Sequence, residues 1–253
     1  MASSPVHVTS ENGRVIFSSL FSPSLFHGTF TRRGGVSPPP YDSLNVAYGL
    51  DGEINVQENR ERIKARFNIR MLVSCRQIHG DRVAVIAQKP ATDMVVNGHD
   101  ALITAETGIG LMIQHADCQA ILLHDPVKKI VGIIHAGWRG SVANIAHKTV
   151  AAMHRSYDCD PADLRAAISP SLGPCCAEFV NYQQELPAEF YPYQVRPHYF
   201  DFWAISRDQL RQAGVRTSNI AVANQCTVCN PDYFSFRRDR ITGRCASVIG
   251  IRE

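Results

Sequence analysis

Residues 100–140 read DALITAETGIGLMIQHADCQAILLHDPVKKIVGIIHAGWRG. Four apolar runs of strand length, DALIT, LMIQHA, AILLHD and KIVGIIH, follow one another with only turn residues between them. Two more runs, LVSCRQI and RVAVIA, precede them from residue 72 onward. Runs this short, bounded by Gly, Asp and Pro, read as strands rather than helices. With no room for crossover helices between them, they pair as an antiparallel or mixed sheet. This block makes the fold sheet-centred.

Outside it the periodicity becomes helical. VQENRERIKARF (56–67) carries good helix formers and few breakers. After the glycine turn at 137–140, Val142, Ile145, Ala146, Thr149, Val150 and Met153 recur at spacings of three and one, a single helical stripe with Ser141 as its N-cap. DFWAISRDQLRQAG (201–214) reads as another helix, capped by Asp201 and stopped by Gly214. NIAVAN and ASVIGI are late strands. A strand near 25–30 runs into TRRGGVSPPPYDSLN (31–45), whose glycines and prolines make it either a mobile connection or a functional loop. Mid-chain strands with helices on either side predict a layered α+β fold. No linker or repeat divides the chain, so 1–253 reads as a single domain, with 1–14 expected to be loosely ordered.

Lys and Arg number 26 against 23 Asp and Glu, without any charged block. That balance argues against a nucleic-acid surface and leaves room for a pocket that takes a small anion. No apolar run approaches the roughly 18 residues of a membrane span. The N-terminal MASSPVHVTS lacks the basic and apolar regions of a signal peptide, so a cytoplasmic location is expected. In that setting the eight cysteines serve as thiols or metal ligands rather than disulfides. Nothing specifies an oligomer, and a monomer is the simplest expectation.

Three strand ends carry metal-competent side chains: His79 in CRQIHGDRV, Cys118 in HADCQAILLHD and His135 in IIHAGWRG. Two imidazoles and a thiolate suit zinc with one coordination position open for water or substrate. Their separations match no local ligand motif, so by spacing alone they read more readily as buried core residues than as ligands. Cys226 and Cys229 in CTVCN, with Cys175 and Cys176 in GPCC, form another potential set, although adjacent cysteines on a strand point in opposite directions. The HAGWRGS turn places Arg139 beside a helix start, where free N–H groups favour an anion. Arg32 in FTRRGG and Arg237 in SFRRD are further arginines beside turns. No His-x-His pair occurs, which removes the usual basis of a trinuclear copper cluster. The H-x-E and P-C-x-x-C pair of base deaminases is likewise missing.

Taken together, GTFTRRGGVSPPPYDSLNVAYGLDGEINVQENRERI, QIHGDRV, the block from DALIT to IIHAGWRGSVANI, ISPSLGPCCAEF and CTVCNPDYFSFRRDRITGR resemble the YfiH/laccase-domain family in their order. The resemblance runs from about residue 15 to the C-terminus. It implies a four-layer α/β/β/α sandwich and a zinc-dependent enzyme acting on purine nucleosides. It places the metal ligands on His79, Cys118 and His135, and substrate or phosphate contacts on Arg32, Asn45 and Arg237, with Arg139 added from the glycine turn. Asp117, beside the cysteine, is implied as a proton shuttle or an orienting carboxylate.

The implied reactions are phosphorolysis of adenosine, inosine, guanosine and methylthioadenosine with inorganic phosphate, and deamination of adenosine. His99 departs from the small or acidic residue usual before Asp100. Two other functions compete. One is a hydrolase or amidase with Cys118 as nucleophile and His135 as base, acting on cell-wall precursors. The other is a copper-dependent polyphenol oxidase, since His and Cys also bind copper well.

Overall fold

In the computed structural model, which describes residues 8–11 and 13–253, the strand runs form two stacked sheets. The first has seven strands in the spatial order β1 (Val8–Glu11), β2 (Arg14–Phe17), β3 (Leu25–Phe30), β15 (Cys245–Ile251), β8 (Ile109–His115), β4 (Met71–Arg76) and β6 (Met94–Asn97). The second has six: β14 (Ile220–Val222), β11 (Arg165–Ile168), β9 (Gln119–Asp125), β10 (Ile130–Ala136), β7 (Ala101–Thr104) and β5 (Val83–Ile86). Parallel pairs join β4 to β6 and β8, β5 to β7, and β11 to β14, while the other pairs run antiparallel, so both sheets are mixed. A separate ribbon pairs β12 (Gln194–Arg196) with β13 (Tyr199–Phe200).

Alternation along single strands assigns the layers. On β10, Val131 and Ile133 enter the core between the sheets, whereas Ile130, Ile134 and Ala136 join the core under helix α3 (Ile145–Tyr157). On β8, Leu111 and Ile113 point inward and Met112 points outward to helix α1 (Glu53–Phe67). Every residue of β9, β10 and β15 is buried, as strands covered on both faces must be. Helix α5 (Phe202–Gln212) packs beside α3, and α2 (Trp138–Val142), α4 (Tyr182–Glu185) and α6 (Phe236–Asp239) are single turns. The layers are therefore α1, first sheet, second sheet, then α3 with α5. This is the expected α/β/β/α sandwich in one domain. Among the described residues no helix is long and apolar enough to cross a membrane.

The helix after the glycine turn differs from expectation. It is interrupted: α2 ends at Ala143, Asn144 takes the left-handed conformation at φ +55°, and α3 starts at Ile145. Asn144 caps α3 by accepting the His147 N–H at 3.2 Å. Ser141 lies inside α2 instead of capping it, and Val142 is exposed rather than on the buried stripe. Around α5 the expectation agrees with the structure, since the Asp201 carboxylate accepts the Ala204 N–H and Gly214 stands at φ +100°. Most of segment 1–14 lies outside the described residues, and Val8–Glu11 pairs with β2. Residues 31–45 are a held loop. Asn59 accepts the Val36 N–H at 2.9 Å and donates to Ser37 Oγ and to the carbonyls of Ser43 and Asn45.

Candidate active site

His79, Cys118 and His135 come from three elements that end at one edge of the two-sheet core. His135 continues the inward series of Val131 and Ile133 on β10. Cys118 lies in the tight connection from β8 to β9, where Asp117 takes φ +87°. His79 follows β4 and adopts φ +59° itself, turning the chain back toward β10. One ligand atom from each residue lies within 4.8 Å of the other two. The two imidazole rings stand edge to face with centroids 4.8 Å apart.

Asp100, the residue before β7, fixes this arrangement and was not singled out from sequence. It is fully buried, and its carboxylate accepts the N–H groups of Ile78, His79 and Gly80 at 3.1, 2.9 and 2.9 Å. It also accepts His135 Nδ1–H at 2.8 Å, which leaves Nε2 as the free ring nitrogen. One carboxylate thus orients two of the three ligands, one through its ring and one through its backbone. Burial works against the Asp100 anion, but the His135 bond and the backbone donors more than offset it and hold its pKa below the usual carboxylate value. The sign of such a carboxylate, a lone Asp ahead of a strand, is common in sequences and carries no spacing signal.

Burial also opposes the Cys118 thiolate, yet His135 and His79 pull its pKa down to about 6. In return, burial lowers His135 while Cys118 and Asp100 raise it to about 9. The two groups thus stabilise each other's charge as a thiolate–imidazolium pair, and a metal bound here would meet the thiolate and release the proton held on His135. Gly137 completes the cradle, because a Cβ there would lie 3.0 Å from His79 Cδ2 and 3.1 Å from Cys118 Sγ. Tetrahedral zinc with bonds of about 2.0–2.3 Å separates its ligand atoms by about 3.3–3.7 Å. A set already within 4.8 Å reaches that spacing by small side-chain rotations, so the three residues fit a metal of this class.

The remaining expected residues divide by what they touch. Arg32 lies over the Phe234 ring at 4.7 Å, pairs with Asp42 at 3.1 Å and approaches Asp239 at 4.0 Å. Arg237 donates to the Glu178 carbonyl at 3.0 Å and sits 6.0 Å from the Phe179 ring. Asp117 is engaged at both oxygens, accepting Thr227 Oγ1–H and the Arg237 backbone N–H, each at 2.6 Å. It orients the arginine-bearing turn α6. Asn45 is fully buried, and its amide bonds the Ala47 backbone and the Arg244 N–H, which ties it to that arginine. Arg139 is exposed and stacks on Trp138 at 4.2 Å, at the start of a helix only one turn long. His99 bonds the Asn97 carbonyl at 2.8 Å. Arg244 was missed from sequence. It is within electrostatic reach of both Cys118 and Asp117, and burial lowers its pKa against their pull.

The chain matches the family described as multi-copper polyphenol oxidoreductase laccase over residues 26–252. It is 34% identical to the purine nucleoside phosphorylase YlmD of Geobacillus stearothermophilus, covering 89% of this chain and 90% of that protein. It is 32% identical to the human purine nucleoside phosphorylase LACC1 over 94% of this chain, which spans 58% of that longer relative. Among solved structures, YlmD from Geobacillus stearothermophilus superposes with a TM-score of 0.86 at 32% identity, covering 99% of this chain and 100% of that one. The Bacillus licheniformis hypothetical protein YfiH superposes with a TM-score of 0.87 at 28% identity, covering 96% and 97%.

Proposed function

This chain belongs to the family described as multi-copper polyphenol oxidoreductase laccase, and from its relatives' names and its own site we propose that it is a zinc-dependent purine nucleoside phosphorylase. The observation that carries this reading is the meeting of His79, Cys118 and His135, held by Asp100, with Arg244 in electrostatic reach of Cys118 and Arg237 tied by its backbone N–H to the neighbouring Asp117. The substrates are purine nucleosides (adenosine, inosine, guanosine and methylthioadenosine) with inorganic phosphate. His79, Cys118 and His135 would hold the zinc, which would supply Lewis acidity.

The protein's own groups do the rest. Arg32, Arg237 and Arg244 offer guanidinium donors to the phosphate, and Asp117 holds the backbone that carries Arg237. A phosphate oxygen forms its bond to the sugar C1′ as the bond from C1′ to the purine nitrogen breaks. The electron pair leaves on the base, which takes up a proton, and the products are the free purine and the sugar 1-phosphate. Ile78 and Phe236, both substantially exposed and next in sequence to His79 and Arg237, offer apolar surface for the purine. Deamination of adenosine at the same centre is a second activity: water adds at the purine C6, the exocyclic amine leaves as ammonia, and inosine is the product.

A cysteine hydrolase or amidase is favoured by one specific observation, the Cys118–His135 pair with its lowered thiol and raised imidazole. That reading gives His79 no role and does not require Asp100 to hold its backbone. Copper oxidation rests on the family's description, and among the described residues neither converging set is the multi-histidine kind such a cluster uses. The test is inosine with and without phosphate, followed for hypoxanthine and ribose 1-phosphate, with Cys118→Ala alongside. Phosphate-dependent release of both products, lost in the variant, supports the phosphorylase. Rapid alkylation of Cys118 with no nucleoside turnover supports the hydrolase.

A further inference from the structure

A second cysteine cluster lies outside the proposed catalytic centre. Cys175, Cys176, Cys226 and Cys229 place their sulfurs within 4.8 Å of one another. Cys175 and Cys176 each approach Cys229, at 3.6 and 3.5 Å between sulfurs. These separations are far beyond a disulfide bond of about 2.05 Å and close to the ligand spacing of tetrahedral zinc with Zn–S bonds of about 2.3 Å. The objection from sequence, that adjacent cysteines diverge on a strand, does not apply. Residues 173–176 form a tight turn, closed by the Cys176 and Ala177 N–H groups on the Gly173 carbonyl at 2.9 and 3.0 Å, and both thiols emerge on one side of it.

The backbone around Cys226 is arranged for a thiolate. Its sulfur accepts the Gly173 N–H at 3.3 Å and also the N–H groups of Val228 and Cys229. N–H donors converging on the first sulfur of a Cys-x-x-Cys loop stabilise negative charge there. Two guanidinium groups flank the set. Arg238 gathers the carbonyls of Thr227 and Val228 at 2.9 and 3.1 Å, and Arg196 bonds the Cys175 carbonyl at 2.9 Å. Four thiolates around a divalent cation carry net negative charge, which the nearby Arg196 offsets, whereas Arg238 is already paired with Asp239 at 2.8 Å.

We propose that these four cysteines bind a structural zinc ion, closed at all four positions and separate from the His79, Cys118 and His135 centre. Its place in the fold indicates what it holds. Cys226 precedes Thr227, which bonds Asp117, and the Leu172 N–H bonds the Asp117 carbonyl oxygen at 2.8 Å. The turn at 173–176 leads to Glu178, whose carbonyl accepts from Arg237. The ion would therefore clamp together the two segments that carry and seat Arg237 against the turn bearing Cys118. Binding coordinates four sulfurs, and thiol protons are released to solvent; no oxidant is involved.

The proposal does not depend on the phosphorylase reading, and one experiment separates the two. Full-length Cys118→Ala, purified under reducing conditions with zinc supplied, is analysed for bound metal. It is then reconstituted with cobalt as a spectroscopic stand-in. The proposal predicts about one zinc per chain in this variant. It also predicts intense thiolate-to-cobalt charge-transfer absorption, and loss of both signals on adding Cys226→Ser and Cys229→Ser. If the cysteine variant fails to fold, the cobalt spectrum of Cys118→Ala alone decides. A Cys118→Ala chain without tightly bound metal, its four sulfurs freely alkylated or its mass reduced by paired hydrogens, would overturn the proposal. If the wild type also carries no more than one zinc, the cluster stands and the catalytic metal falls.

Discussion

Asp100 accepts hydrogen bonds from Ile78, His79, Gly80 and the His135 ring, so its charge and its shape both matter. Asp100→Asn would aim an amide donor at backbone N–H groups and weaken the hold on His135. We expect metal affinity to fall ~10–100-fold, the usual effect of losing such a partner. Competition with a chelator measures it, and unchanged affinity would remove Asp100 from the account. Gly137 acts by what it lacks. Gly137→Ala brings a methyl to 3.0 Å from His79 and 3.1 Å from Cys118, closer than ordinary van der Waals contact. Because φ there is −78°, alanine is conformationally acceptable, and the fold should persist while metal content and turnover drop. Circular dichroism with metal analysis of the variant checks both halves of that expectation.

At the scale of elements, the break between α2 and α3 turns on Asn144. Its side chain caps α3 and its backbone is left-handed, so Asn144→Ala loses the cap and adds strain. A loss of ~1–2 kcal/mol is expected from denaturant unfolding, and Asn144→Gly should lose less because glycine accepts φ > 0. Equal stability for all three chains would contradict this. The same break shows where sequence reading stops. Ile145, Ala146, Thr149, Val150 and Met153 announce their helix because burial repeats with the helical period, but a left-handed asparagine leaves the stripe almost undisturbed. Strands β8, β9 and β10 were legible because both faces are apolar. By contrast, β6, with Met94 and Val95 exposed at a sheet edge, and the four-residue β11 lack enough pattern to stand out. Among site residues, spacing alone left the ligand trio ambiguous, and the family resemblance pointed to it. Asp100 and Arg244 were invisible because their importance lies in contacts distant in sequence.

For the whole molecule, histidines lowered by burial couple stability to pH: His27, His124 and His115, the last pushed down to about 3. His27 lies 4.8 Å from the Phe21 ring and His124 lies 6.2 Å from it, and burial lowers the pKa of each from 6.5 to about 4. The folded chain thus binds fewer protons than the unfolded chain between these values. Stability from this source is complete above about pH 6.5 and is lost as pH falls toward 4, at ~1.4 kcal/mol per histidine per pH unit. Denaturant unfolding at pH 7, 6 and 5 should show that decline, and His124→Gln should make it shallower by the share of one histidine. A parallel decline in the variant would exclude His124 as a source. The two-sheet core also explains why the candidate centre can be built at all, since three connections from different strands converge only where the layers end. The most direct test of the catalytic account is His79→Ala, compared with wild type for bound metal and for phosphate-dependent release of hypoxanthine from inosine. Loss of about one metal ion per chain together with loss of turnover is the predicted result. A variant that keeps its metal and its turnover, or a wild type that releases hypoxanthine without phosphate, would contradict it.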